Sequence, residues 1–205
     1  MSIQRDSGII PVEEDISMLP PGHIAYTWGA LNLWQRCSRS FPEADYRWVA
    51  LAAILPDVID KPSALLVFTD SHTSHCLAHT LLFHLIVLLA VTLCWRKGLV
   101  YALAFNGHLL ADRMWQYPRT FFYPFLGWHF EPWRFMGSLQ AILEAYMEII
   151  QYPGIILFEL GGLIILGWLI RSYGLYRWRE MKRFLLSGRM DKSMGGSRAG
   201  YSWRS

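Results

Sequence analysis

The sequence predicts an all-α integral membrane protein, with about three transmembrane helices and short N-terminal helices that lie at the membrane interface or enter it as re-entrant elements. Composition is the first reason. Of the 205 residues, 53% are hydrophobic and 17% are charged, against roughly 45–50% and about 25% in an average soluble domain. The second reason is local, because residues 71–95 contain no Asp, Glu, Lys or Arg. The alternative is a soluble protein in which the apolar stretches are core helices.

Three apolar stretches are the predicted spans. Residues 81–95 are almost continuously apolar and, together with the uncharged residues before them, exceed the ~20 residues that cross a bilayer. The second stretch, 98–111, is also free of charge but is short and contains polar Asn106 and His108. The third, 153–170, carries one charge, at Glu159. The three stretches predict a helical hairpin followed by a third transmembrane helix.

The N-terminal part has no run of spanning length. An amphipathic run from 23 to about 36 follows a Pro-Pro-Gly break, and a second apolar run, 48–55, leads into the motif LPDVIDKP at 55–62. Both runs are predicted to be short interfacial or re-entrant helices. We expect no cleavable signal peptide, because the first 22 residues are charged and lack an apolar core.

The chain is predicted to form one domain, 1–186, followed by a basic, Gly/Ser-rich and disordered tail, 187–205. With three spans, the Arg96-Lys97 turn and this tail lie on one side of the membrane. Eleven of the 19 lysines and arginines are on that side. The positive-inside rule therefore favours a cytoplasmic tail and an integral location in the cell or inner membrane.

Charge and cysteine content exclude several classes of function. A net charge of +3 without a basic stripe argues against nucleic-acid binding. The three cysteines, Cys37, Cys76 and Cys94, are odd in number and far apart, so neither a disulfide framework nor a thiolate zinc site is indicated. A metal ion would have nitrogen and oxygen ligands.

Histidines and an aspartate are concentrated in the first two predicted spans, where ionisable groups are costly and indicate function. His72, His75 and His79 are spaced i, i+3, i+7, so a helix beginning by residue 72 would place all three on one face. His108 and Asp112 are spaced i, i+4 and share a face of the second span.

The hairpin brings the two groups to the same depth. His79 and Asp112 lie at similar sequence distances on either side of the Arg96-Lys97 turn. At about 1.5 Å per residue their depths differ by only ~3 Å. We therefore expect the two side chains to approach within the distance that allows them to share a metal ion.

The motif LPDVIDKP adds two carboxylates. Asp57 and Asp60 are three residues apart, so a helical turn begun by Pro56 would point both to one side. His23 follows a Pro-Pro-Gly break, at which a helix is predicted to start. Imidazole and carboxylate together suit zinc, with Mn, Fe or Ni as alternatives, and the number of ligands allows one or two divalent ions. The candidate ligands are His23, Asp57, Asp60, His75, His79, His108 and Asp112. Among the closely spaced histidines His72, His75 and His79, His72 is an alternative ligand.

The order of four segments resembles the YdjM-like family of membrane-bound metal-dependent hydrolases, from Gly22 to about Trp128. The segments are GHIAYTWGAL, LPDVIDKP, SHTSHCLAHTLLFH and NGHLLADRMW. The resemblance implies metal ligation by His23, Asp57, Asp60, His79, His108 and Asp112. The family's His-Arg pair has no counterpart, since Cys76 follows His75. A weaker likeness links the family to zinc-dependent phospholipase C and single-strand nucleases.

The predicted function is hydrolysis of an ester or phosphoester by metal-activated water, with Asp57 or Asp60 accepting the proton. The bilayer is the expected partner, and an aromatic segment at 115–133 makes a lipid or another amphiphile the natural substrate. One alternative is a non-catalytic divalent-metal binder or transporter. The other is a b-type haem protein that uses His84 and His108.

Other ionisable groups receive simpler interpretations. His84 is predicted to be a hydrogen-bonded interior histidine, and Glu159 a partner of His84 or His108 or a proton relay. Glu144 and Glu148, spaced i, i+4, are predicted to lie on a solvated helix face.

Overall fold

A computed structural model describes residues 18–38, 40–68, 73–132, 140, 143, 144, 147 and 150–190 of the chain. Within these ranges the regular structure is entirely helical, which confirms the all-α prediction. The helices, numbered in chain order, are α1 (Pro20–Ser38), α2 (Tyr46–Leu66), α3 (Leu81–Cys94), α4 (Leu99–Ala111), α5 (Pro118–Phe121), α6 (Pro153–Tyr173) and α7 (Trp178–Ser187). Short 3-10 turns are formed by Leu77–His79, Arg96–Gly98 and Met114–Gln116.

The central helix of the bundle is α1, which packs against α2, α4 and α6. Proline at the start of α1 suits a helix N-terminus, where no backbone donor is required. Small residues permit close contact with α6, because a Cβ added to Gly162 would lie 3.4 Å from both Gly22 Cα and Ala25 Cβ. The beginning of α1 is thereby held against the middle of α6.

The second helix is longer than the sequence suggests. Asp45 caps α2 by accepting a hydrogen bond from Arg47 N, and the helix then continues for 21 residues through Pro56 and Pro62. A separate helical turn begun by Pro56 was expected, and that expectation is wrong. Proline removes the helical hydrogen bond to the carbonyl four residues earlier, and in the same turn the Ala53 carbonyl accepts a hydrogen bond from His108 Nδ1.

Only α6 among the described helices is long and apolar enough to cross a membrane. The 14 residues of α3 and the 13 of α4 span only about 20 Å each, short of the ~30 Å hydrocarbon core. Three transmembrane helices are therefore not confirmed. The two helices do form the predicted hairpin, with Arg96–Gly98 as its turn.

The first helix of the hairpin begins at Leu81, not by residue 72. Asp60 accepts hydrogen bonds from the backbone N–H groups of Cys76 and Ala78, which holds this segment out of a helix. Thr80 then caps α3 by accepting a hydrogen bond from Phe83 N. The prediction that the three histidines line one helical face is wrong for this reason. His72 lies outside the described residues.

The end of the bundle farther from Pro20 is joined by buried polar groups. Asn32 Nδ2 donates to the hydroxyl groups of Tyr46, at 3.3 Å, and Tyr173, at 2.6 Å. These bonds connect α1 with α2 and α6. Beyond α7, the Gly188 carbonyl accepts a hydrogen bond from Tyr46 N. Apart from residues 187–190, the predicted C-terminal tail lies outside the described part of the chain.

Candidate metal centre

Four buried side chains meet at the opposite end of the bundle. Asp57 is on α2, His79 is in the 3-10 turn before α3, His108 is on α4 and Asp112 directly follows α4. Each offers one ligand atom, and the four atoms lie within 4.8 Å of one another. Three separate segments of the chain thus contribute to one group.

The distances match a single coordination sphere. His108 Nε2 lies 3.1 Å from His79 Nε2 and 3.0 Å from Asp112 Oδ2. His79 Nε2 lies 3.8 Å from Asp112 Oδ2 and 3.6 Å from Asp57 Oδ1. Tetrahedral bonds of about 2.0–2.2 Å separate neighbouring ligand atoms by roughly 3.4 Å. The close approach of His79 and Asp112 expected from the hairpin is therefore found.

Asp60 fixes the orientation of His79. His79 Nδ1 lies 2.7 Å from Asp60 Oδ2, and because a carboxylate can only accept, the proton is on Nδ1. The same carboxylate binds the Cys76 and Ala78 N–H groups. Asp60 thus contacts the ring nitrogen that points away from the four-residue group, and lies outside that group.

The backbone of α2 fixes the orientation of His108. His108 Nδ1 donates to the Ala53 carbonyl over 2.8 Å. In their neutral forms, both His79 and His108 therefore carry a lone pair on Nε2. Those lone pairs and the carboxylate oxygens of Asp57 and Asp112 converge, so a proton on one imidazole or a bound cation is needed between them. A cation fits this arrangement.

The electrostatics of the group also require positive charge. Burial lowers the pKa of His79, but hydrogen bonds with Asp112 and Asp60 and the charges of Asp60 and Asp57 outweigh it and raise the pKa to about 9. Lys61 Nζ lies 2.8 Å from Asp57 Oδ2 at the edge of the group. The interior positive charge must come from a proton on His79 or from a metal ion.

His23 contacts two members of the group, Asp112 and His108, but is not one of the four itself. Its Nε2 lies 3.1 Å from Asp112 Oδ1, which also accepts a hydrogen bond from Met18 N. The His23 ring stacks on His108, with ring centroids 4.1 Å apart. Its position orients Asp112 and covers His108, whereas the four-residue group does not include it.

His75 lies beside the group. Its ring centroid is 4.5 Å from that of His79 and 6.0 Å from that of Tyr117. Burial, reinforced by the nearby His79, lowers the pKa of His75 to about 3. The imidazole is therefore neutral at physiological pH, but it is not part of the four-residue group.

Glu159 has a different role from the predicted one. Its Oε1 accepts a hydrogen bond from Leu19 N over 3.0 Å, just ahead of α1. It therefore anchors the α1 N-terminus and does not contact His84 or His108 through this oxygen. His84 Nε2 donates to the Ala78 carbonyl over 2.8 Å, in agreement with a hydrogen-bonded interior histidine. His84 Nε2 is thereby engaged and His108 Nε2 faces His79 and Asp112, so this pair does not favour haem ligation.

Two contacts at the site were not predicted. Lys61 follows Asp57 by four residues, so the i, i+4 rule was a sufficient indication of their ion pair. The contact between Ala53 and His108 had no comparable indication, because a backbone carbonyl can be supplied by any residue type. Glu144, by contrast, is exposed as expected, and Glu148 lies outside the described residues.

Comparison with known protein families gives one match. The model of a family described as YdjM inner membrane protein matches residues 18–181, about four-fifths of the chain. The matched region contains all four residues of the buried group and the helices that position them. No curated protein and no solved structure matches the chain.

Proposed function

Because this chain belongs to the YdjM family of inner membrane proteins, we propose that it is a membrane-bound metal-dependent hydrolase whose substrate is an ester or a phosphoester. In this proposal Asp57, His79, His108 and Asp112 hold one divalent cation. Two imidazole nitrogens and two carboxylate oxygens suit zinc, and Mn, Fe and Ni accept similar ligands.

The arrangement of the His79 and His108 rings is the main support for the proposal. The Nε2 atoms of His79 and His108 lie 3.1 Å apart, although the Nδ1 of each ring already has an acceptor. Second partners of this kind are typical of metal-binding histidines, because they fix the ring and increase its basicity. Buried acceptors without a donor are otherwise costly.

The reaction requires a group that accepts a proton from water, and Asp57 is our assignment. It is the most exposed carboxylate at the centre, at 7% of its surface, against 4% for Asp112 and none for Asp60. A bound divalent cation would supply Lewis acidity and lower the pKa of a water molecule. Asp57 would take that proton as a general base through Oδ2, the oxygen that faces Lys61, while Oδ1 would hold the cation.

Two residues next to the four-residue group, Asp60 and Lys61, would orient a metal ligand and bind the substrate. Asp60 is a positioning residue, because its two oxygens are already used by His79 Nδ1 and by the N–H groups of Cys76 and Ala78. Lys61 has 23% of its side chain exposed and lies against Asp57. Its ammonium group would balance charge on a phosphoryl or carbonyl oxygen at the edge of the centre.

The location of the centre favours an amphiphilic substrate. Immediately after Asp112 the chain enters an aromatic segment, in which Trp115, Phe125 and Trp128 are at least half exposed. Exposed aromatic side chains of this kind are typical of the membrane–water interface. A substrate with its polar group at that depth would reach the centre from the bilayer.

Metal analysis combined with turnover tests the proposal. Protein purified in detergent should contain about one divalent ion per chain. It should hydrolyse members of a panel of carboxylic esters and phosphodiesters, and lose this activity with a chelator. Asp57→Asn should abolish turnover, whereas the control Glu144→Gln, at an exposed position, should not. Stoichiometric metal without turnover would indicate the non-catalytic metal-binding alternative, and absence of metal would contradict the proposal.

A further inference from the structure

A cavity of about 250 Å³ lies between α1 and α4. Its walls are mostly apolar, and among the described residues no charged side chain lines it. The polar side-chain groups of the wall belong to Tyr26, Thr27 and Trp34, and the Tyr26 hydroxyl already donates to the Phe158 carbonyl. In another protein, an engineered apolar cavity of roughly 150 Å³ stays dry and binds benzene. The present cavity is larger and is suited to a hydrocarbon group.

The cavity runs along α1 and α4 toward the end of α4 where His108 and Asp112 are located, although neither of these two residues is among its walls. At one end its walls include Gly107 and Ala111, which directly precede His108 and Asp112. At the other end they include Trp34 and Val100. Because α1 begins and α4 ends at the metal centre, the cavity follows both helices for about 16 Å, the rise of α4 over this stretch. A stretch of this length suits an extended hydrocarbon chain.

The surroundings of the cavity indicate which molecule could occupy it. Trp34 is about half exposed, so the cavity is bordered by a side chain that faces outward. In a protein of an inner membrane family, the surrounding hydrocarbon consists of lipid chains. A lipid chain that enters between α1 and α4 would have its polar end next to His108 and Asp112.

We propose that this cavity binds the acyl chain of an amphiphilic substrate, whose ester or phosphoester lies at the metal centre. The inference rests on the proposed hydrolase function and adds the substrate class: a membrane lipid with at least one long acyl chain. Because the chain already lies in hydrocarbon, close van der Waals packing against the apolar walls, and not exclusion of water, would contribute to binding.

Two glycines provide a matched pair of variants. A Cβ added to Gly107 or to Gly167 would meet no atom within 4 Å, so a side chain can begin at either position without displacing a neighbour. Gly107 lines the cavity, whereas Gly167 is on α6 and does not. Gly107→Leu would fill the end of the cavity near the metal centre, and Gly167→Leu controls for a larger side chain in an apolar helix.

The experiment uses the full chain in liposomes that contain a phosphatidylglycerol with a diazirine on one acyl chain. After irradiation, peptides are mapped by mass spectrometry, with cross-links to α6 as the internal reference for lipid outside the cavity. We expect cross-links to residues 26–34 and 100–111. Gly107→Leu should reduce them roughly tenfold, the discrimination that one misfitting group produces in an apolar pocket, and Gly167→Leu should leave them unchanged. Equal cross-linking in all three proteins would overturn the inference.

Turnover provides a separate readout. If the purified protein hydrolyses esters, Gly107→Leu should slow cleavage of palmitoyl esters and leave acetyl esters unaffected. Equal effects on both chain lengths would contradict the acyl-chain site while leaving hydrolysis intact. The cross-link needs no turnover, so a protein that binds the lipid probe in the cavity but cleaves no ester would contradict the hydrolase function and not the cavity's ligand.

Discussion

His79 and His108 face each other with their Nε2 atoms 3.1 Å apart, and each ring is held from behind at Nδ1 by an acceptor of α2. The acceptors are the Asp60 carboxylate and the Ala53 carbonyl, two turns apart on that helix. One helix therefore sets the orientation of both imidazoles. The candidate metal centre is organised by α2, although its histidines belong to other segments.

Metal removal should destabilise the protein. If free metal is 100-fold above its Kd, binding contributes about 2.7 kcal/mol to the folded state. A chelator should therefore lower the Tm by roughly 5–10 °C for a chain of this length. Thermal unfolding of wild-type protein and Asp57→Asn, each with and without chelator, measures the effect. A chelator that shifts both proteins equally would mean that the stabilising ion is bound elsewhere.

Asp60→Asn should weaken metal binding without removing a ligand. An asparagine retains one acceptor for the segment at Cys76 and Ala78, but it lacks the charge that supports His79. Loss of such a partner typically costs 10–100-fold in metal affinity. Titration with a competing chelator measures the Kd. Turnover at saturating metal should largely return for Asp60→Asn and not for Asp57→Asn; equal loss in both would assign Asp60 a catalytic role.

Replacing Glu159 should destabilise the start of α1. Its carboxylate accepts from Leu19 N, and loss of a helix-capping acceptor costs about 1 kcal/mol. Glu159→Ala should therefore unfold at a lower temperature than wild type, while Glu159→Gln, which keeps an acceptor, should lose less. A Tm for Glu159→Ala equal to that of wild type would show that the N-terminus of α1 needs no support from α6.

The sidedness of the membrane can be tested by labelling. A single span at α6 and the predicted three spans both place positions 7 and 193 on opposite sides. With native cysteines removed, a Cys at Ser7 should react with a membrane-impermeant reagent in intact cells, and one at Ser193 should be protected. The reverse pattern would place the metal centre on the cytoplasmic side. Reaction at both positions would exclude an odd number of spans.

The positions of the candidate ligands could be predicted because the relevant geometry is local. His108 and Asp112 share a helix face by their spacing, and the Arg96–Gly98 turn fixes the hairpin to which His79 is attached. Asp57 and Asp60 share a side of α2 for the same reason. Sequence spacing determines such relationships whenever the residues lie on one helix or on two helices joined by a tight turn.

The remaining features depend on contacts between distant segments. The start of α3 is determined by Asp60, which binds the backbone N–H groups of Cys76 and Ala78. These residues are therefore not α-helical, although the uncharged sequence around them favours a helix. Glu159 accepts a hydrogen bond from Leu19 N at the start of α1, a segment that is far from it in sequence. Pro56 did not end α2, although proline usually ends or kinks a helix. Propensity and spacing carry no information on such tertiary partners.

The shortness of α3 and α4 has a consequence for the surrounding lipid. A hydrophobic segment shorter than the bilayer core produces a mismatch, which the membrane accommodates by thinning at a cost of fractions of a kcal/mol per Å. If the hairpin crosses the bilayer, as the sequence predicts, its length of about 20 Å would draw the two leaflets together. Headgroups would then sit deeper than in the undisturbed bilayer, and a lipid beside the protein would have a shorter distance to travel to the proposed metal centre.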